Sequence, residues 1–195
     1  MKSKTKTKAE IKTYNKDSKN KVRNIIIDLI RAQDIKHIVT LESPEFIFSK
    51  ALPERKIVVF ENDAATFAKM EKKCPRNVEL VWGNVEKFGV LNARTDFIWL
   101  DFCRTWMNEK EKVAVLKETL QEVKYLAITL CLRESAHHQR TGNTFDGDYQ
   151  FDLINKIQNI TGINWKVIYG ESYYDSMQMV TMILKNPMEV KNDAP

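Results

Sequence analysis

The sequence predicts an α/β fold: a seven-stranded, mostly parallel sheet with helices on both faces and a terminal antiparallel hairpin. Three observations predict it. Four short apolar runs, His37–Leu41, Lys56–Phe60, Val78–Trp82 and Asp96–Leu100, lack strict alternation, as strands covered on both faces do. Amphipathic spacers separate these runs, which makes βα units and a parallel sheet. The last two runs, Trp165–Tyr169 and Gln178–Leu184, are joined by Gly170–Met177 with no helical pattern, a length that permits an extended hairpin.

Each of the first four runs ends in a polar cluster: Glu42-Ser43, Glu61-Asn62-Asp63, Gly83-Asn84 and Asp101. Ligands of open parallel sheets bind outside the carboxyl ends of the strands, where the strand order reverses. These clusters are therefore the candidate site.

Along the chain, Val22, Ile25, Ile26, Leu29 and Ile30 recur on one helical face, predicting a helix from Asp17 or Ser18 to Ala32. After the first strand, Ser43-Pro44-Glu45 reads as a helix start, with Ser43 as N-cap and Pro44 in the first turn, and Pro53 stops that helix after Ala51. Asn62 or Asp63 caps the next helix, Ala64–Lys73, with Phe67 and Met70 inward. A helix over Glu109–Val123, a fifth strand at Tyr125–Leu132 and a helix at Asp148–Thr161 closed by Gly162 complete the series. Arg133–Gly147 is a polar loop longer than a connection needs, which marks it as a functional candidate.

Composition narrows the function classes. The 195 residues suit one domain, residues 21–187, with a basic arm at 1–20 expected to be disordered and a short tail at 188–195. Cys74, Cys103 and Cys131 are odd in number and widely spaced. That opposes a disulfide framework or a zinc cluster and suits a reducing, cytoplasmic setting. No run approaches a membrane span, and no apolar stretch comes after the lysines as in a secretory leader. The net charge is +5, yet residues 1–21 alone hold eight lysines against Glu10 and Asp17, so the remainder is slightly acidic. Such an arm either neutralises nucleic-acid phosphates or is a solvated leader.

With these residues in place, the sequence resembles the class I S-adenosylmethionine-dependent methyltransferases over most of residues 21–185. The resemblance rests on strand order and polar positions rather than on a long motif. It implies S-adenosyl-L-methionine as cofactor, with Glu42 ending the first strand, Glu61 ending the second and gripping the ribose, Asn84 facing adenine, and Asp101 bordering methyl donor and substrate. Ser43, Asn62 and Val85 would complete the cofactor set. Asp101-Phe102-Cys103-Arg104-Thr105 is also similar to an Asp-Tyr-Cys-Gly-Thr loop of small viral and phage methyltransferase-like proteins, with Arg104 in place of Gly. The sequence departs from the family in the first loop, where Ser43-Pro44-Glu45 replaces a glycine-rich turn. A capped helix start there would still offer N–H groups to the methionine carboxylate.

Each candidate has a plainer alternative. Glu61 and Glu42 are cofactor ligands or ordinary surface acids and caps, and a Gly-Asn pair is also a common turn. Asp101 is a general base or orienting group, or a cap for the next segment. Cys103 stands where a pyrimidine-attacking thiolate would, with Glu134 as acid, but cysteine is also a small buried hydrophobe. Phe102, Arg104, Trp106, Arg133 and His137 are the substrate-side candidates. Trp106 stacks on a base or packs in the core, and the other tryptophans, Trp82, Trp99 and Trp165, are expected in the core. His137-His138 lack the spacing of a metal site. The functional expectation is methyl transfer to nucleic acid, and its rival is a catalytically silent binding module on the same fold.

Overall fold

A computed structural model describes residues 8–90, 95–102, 104–132, 146–174 and 178–187. Seven strands form one sheet: β1 (His37–Leu41), β2 (Lys56–Glu61), β3 (Val78–Trp82), β4 (Phe97–Asp101), β5 (Tyr125–Cys131), β6 (Lys166–Tyr174) and β7 (Gln178–Lys185). Their spatial order is β3-β2-β1-β4-β5-β7-β6. The first five are parallel, and β7 enters antiparallel between β5 and β6. This is the predicted sheet, hairpin included. The hairpin strands reach further into the intervening segment than the apolar runs suggest, because Tyr169–Tyr174 pairs with Gln178–Ile183 across a register shift at Val167/Tyr169.

The uninterrupted apolar runs result from coverage on both faces. Along β4, Phe97 and Trp99 enter one core while Ile98 and Leu100 enter the other. Helices α1 (Lys8–Ala32), α2 (Ile47–Lys50) and α3 (Ala64–Glu71) cover the first face through Ile26 and Ile30, Phe48, and Met70. Helices α4 (Trp106–Val115), α5 (Lys117–Glu122) and α6 (Asp146–Thr161) cover the second through Val113, Leu120 and Ile157. Each such buried apolar side chain contributes about 2 kcal/mol of transfer free energy.

Four local expectations are corrected. Helix α1 begins at Lys8, upstream of the Asp17/Ser18 start. The helix expected over Glu109–Val123 starts three residues earlier, at Trp106, and is broken into α4 and α5 at Leu116, whose ψ of 0° departs from helical geometry. Trp82 is 52% exposed because β3 is an edge strand, and it meets Phe67 edge-to-face at 5.1 Å. The fourth correction, at the first turn, bears on the site. Asp63 and Gly162 perform as expected. The Asp63 side chain accepts from Thr66 N at 2.8 Å as the N-cap of α3, and Gly162, at φ +73°, closes α6.

Candidate nucleoside site at the carboxyl edge of the sheet

The strand order reverses between β1 and β4, and a cavity of about 150 Å³ opens beside this point, over the carboxyl ends of β1, β2 and β3. Leu41 and Glu42 come to it from the end of β1, Phe60 and Glu61 from β2, and Gly83 and Asn84 from just after β3. Asn62, Val85, Glu86, Phe102 and Lys112 complete its walls. Of the residues predicted from sequence, the structure thus brings together Glu42, Glu61, Asn62, Asn84, Val85 and Phe102.

Glu61 is partly exposed, and its Oε1 accepts from Asp63 N at 2.7 Å, which fixes the carboxylate over the β2 end. Asn62 and Asn84 are joined by a hydrogen bond from Asn62 Nδ2 to Asn84 Oδ1. That bond spans the ends of β2 and β3 and leaves the Asn84 amide as a donor group. Gly83 makes the approach possible. It sits at φ +137°, where side chains are strained, and the Lys87 side chain lies 3.3 Å from where a Cβ would stand. Val85 and Phe102, 2% and 4% exposed, supply apolar floor.

Lys112, Glu109 and Glu86 were not sequence candidates. Lys112 Nζ pairs with the buried Glu109 Oε2 at 2.7 Å and lies 5.4 Å from the centre of the Phe102 ring. The i, i+3 spacing of Glu109 and Lys112 was a visible signal for the ion pair, but not for its place beside the cavity.

The first turn is built differently from its sequence reading. Ser43 is not the N-cap. Its carbonyl accepts from Phe46 N at 3.0 Å, closing a turn over Pro44 and Glu45. The N-cap of α2 is Phe46, fully buried and left-handed at φ +50°, ψ +42°. A bulky residue there costs about 1–2 kcal/mol, which burial of its ring offsets. Glu42 does the capping instead. Its Oε1 accepts from Phe48 N at 2.7 Å and Ser49 N at 3.2 Å, and Oε2 accepts from the Ser49 hydroxyl. Burial pushes the Glu42 carboxyl above the ordinary glutamate value, against these hydrogen bonds, which pull it down. Ser43 is exposed and is not part of the cavity wall.

Asp101, with a side chain 16% exposed, ends β4 and pairs with Lys19 Nζ of α1 at 3.5 Å. Arg104 is exposed, and its carbonyl accepts from Cys131 N. Trp106 is 3% exposed and packs in the core at the start of α4, the packing alternative rather than the stacking one. Cys103, Arg133, Glu134 and His137-His138 lie outside the described residues. Among the described residues no group of three His, Cys, Asp or Glu is placed to hold a metal ion, and no helix is long and apolar enough to cross a membrane.

No protein-family model matches the chain, and no curated protein matches its sequence. Solved structures do share its fold. The methyltransferase domain of bacterial CtHen1-CN superposes with a TM-score of 0.56 at 9% identity, over 84% of this chain and 96% of that one. TrmK of M. capricolum, bound to S-adenosyl-homocysteine, gives 0.52 at 13% identity over 78% and 62%. A 16S rRNA (adenine(1408)-N(1))-methyltransferase from Catenulisporales acidiphilia gives 0.50 at 14% identity over 77% and 84%. At such identities the likeness establishes the fold, that of the class I methyltransferases, and the chemistry has to come from the site.

Proposed function

We propose that this protein binds S-adenosyl-L-methionine in the cavity over β2 and β3 and transfers its methyl group to nucleic acid. The observation that carries the reading is the wall of that cavity. Glu61, a carboxylate anchored at the end of the second parallel strand, stands beside a donor amide, Asn84, and the apolar pair Val85 and Phe102. A nucleoside presents a matching surface: a diol that donates to a carboxylate, a base edge that takes amide hydrogen bonds, and a flat apolar face. S-adenosyl-homocysteine in the similarly folded TrmK supports the cofactor class, and the rRNA methyltransferase supports the target class.

In this reading the bound cofactor supplies a methyl group on a positively charged sulfur. Glu61 holds the ribose and Asn84 with Asn62 orients the base. Asp101, at the β4 end between cofactor and acceptor sides, orients the accepting group and takes its proton if it carries one. Phe102 and Val85 exclude water from one side of the nucleoside. Catalysis is then mainly positioning. Arg104 stands on the acceptor side, and Arg133 and His137 are assigned to the acceptor from the sequence alone. The lysines upstream of Lys19 hold phosphates, and the setting is cytoplasmic.

The test is calorimetry or thermal shift with S-adenosyl-methionine and S-adenosyl-homocysteine. Saturable binding that is lost in Glu61→Ala supports the reading, and no binding of either compound refutes it. A second reading, a methyltransferase-like module that binds nucleic acid without catalysis, is favoured by the internal use of Glu42. It predicts RNA or DNA binding by a protein that ignores both cofactor forms.

A further inference from the structure

We infer that this site recognises its cofactor almost entirely through the nucleoside half, the amino-acid half meeting groups already engaged within the chain; the inference rests on the cofactor reading above. An amino acid needs an acceptor for its ammonium and donors for its carboxylate. Among the described residues, carboxylates stand at or beside the cavity on two sides. Glu61 ends β2 and Glu86 follows β3 on the nucleoside side, where Glu86 keeps a buried oxygen without a hydrogen-bond partner. Glu42 and Asp101 stand on the β1 and β4 ends, the side left for an amino acid. Glu42 gives both oxygens to α2: Oε1 to the N–H groups of Phe48 and Ser49, Oε2 to the Ser49 hydroxyl. Asp101 is met by an ammonium of this chain, Lys19 Nζ, at 3.5 Å.

The donor side is engaged as well: Lys112 Nζ, in the cavity wall, pairs with Glu109 at 2.7 Å. The N–H groups that the β1–α2 turn could present to a carboxylate are those at the start of α2, and Glu42 accepts from two of them. The turn has no glycine through which backbone could approach a ligand, and it is anchored by Phe46, fully buried. The remaining cavity, about 150 Å³, is smaller than the roughly 300–1,000 Å³ of pockets that enclose a drug-sized ligand whole. Lys19 therefore acts as a specificity determinant, an internal substitute for the cofactor ammonium.

The experiment compares two ligands that share the thioadenosine and differ in the amino acid: S-adenosyl-homocysteine and 5′-methylthioadenosine. Calorimetry on the full chain is expected to give dissociation constants within about threefold of each other, equivalent to less than one net hydrogen bond. Lys19→Met removes the chain's own ammonium from Asp101, and the preference for S-adenosyl-homocysteine over methylthioadenosine should rise about tenfold. A preference of tenfold or more in the unaltered chain overturns the inference and leaves the cofactor reading standing. An unchanged preference in Lys19→Met overturns the role given to Lys19. If neither ligand binds, both the inference and the cofactor reading fall.

Discussion

Two neighbouring strand ends, β1 and β2, use the same residue type in opposite ways. At the end of β2, Glu61 gives one oxygen to Asp63 N and stays partly exposed over a cavity. At the end of β1, Glu42 is turned into the fold and gives both oxygens to α2. The difference lies in how the helix after each strand is capped. After β2 a short-range cap, Asp63, satisfies the start of α3 and frees Glu61 from that task. After β1 the Ser43–Phe46 turn provides no side-chain cap, so the strand-end carboxylate serves the helix. A strand-end acid is available to a ligand only when something else caps the helix.

The comparison can be broken by a double dissociation. The largest expected effect is on binding: Glu61→Ala should weaken the cofactor about tenfold to a hundredfold, as charged hydrogen bonds to a diol are lost. Its melting temperature should stay close to that of the unaltered protein. Glu42→Ala should behave oppositely. It strands two N–H groups and a hydroxyl, lowering stability by about 2 kcal/mol in urea titration while nucleoside affinity in the folded fraction holds. If Glu42→Ala loses affinity as strongly as Glu61→Ala, the two acids are not divided as described.

A pH series sharpens the contrast with the amino edge of the sheet. There Asp96 accepts from Lys36 N and His37 N and sits near Lys124. Burial would raise its carboxyl, but these hydrogen bonds and Lys124 hold it below the ordinary value of 3.8. A lowered value in the fold means stability that is present above 3.8 and lost as pH falls through the folded value. Glu42 is raised, so its contribution is present below the ordinary 4.5 and lost as pH rises through its folded value. The penalty of Glu42→Gln should therefore grow as pH falls from 7 towards 4.5. That of Asp96→Asn should hold above pH 4 and shrink below it. Chemical denaturation at several pH values reads both slopes.

The smallest effects on stability are expected from the N-terminal lysines and from Asn62. Replacing Lys2, Lys4, Lys6 and Lys12 by Gln should flatten the salt dependence of nucleic-acid binding by about 0.7–0.9 per phosphate contact removed, with stability nearly unchanged. Asn62→Ala, at an exposed position, should change stability by less than about 0.5 kcal/mol and base recognition only severalfold.

The strands were legible because a strand covered on both faces leaves a continuous apolar run, as Phe97–Leu100 shows. The nucleoside wall was legible because topology places strand ends together regardless of side-chain detail. Two features were not. Ser43-Pro44-Glu45 carries the local signature of a helix start, but the cap comes from Glu42, six residues before Phe48, outside any local pattern. Lys19 belongs to a lysine run that reads as phosphate-binding charge, and its pairing with Asp101 spans most of the sheet in sequence. The break at Leu116 occurs without proline or glycine, so the heptad-like spacing of Val113, Leu116 and Leu120 concealed it.

The contact between α1 and β6 has a consequence for how the chain is made. Lys21 of α1 pairs with Glu171 of β6 at 2.8 Å across a separation of 150 residues. On the ribosome, α1 emerges early and β6 late, so this helix waits through most of synthesis for its contact with β6. Until β6 and β7 pair, the β5 edge is also open to other strands. Closure by the hairpin is thus a late, long-range step of the kind that slows folding. A destabilised hairpin should therefore show its damage first as poor yield from translation, before any change in the finished site.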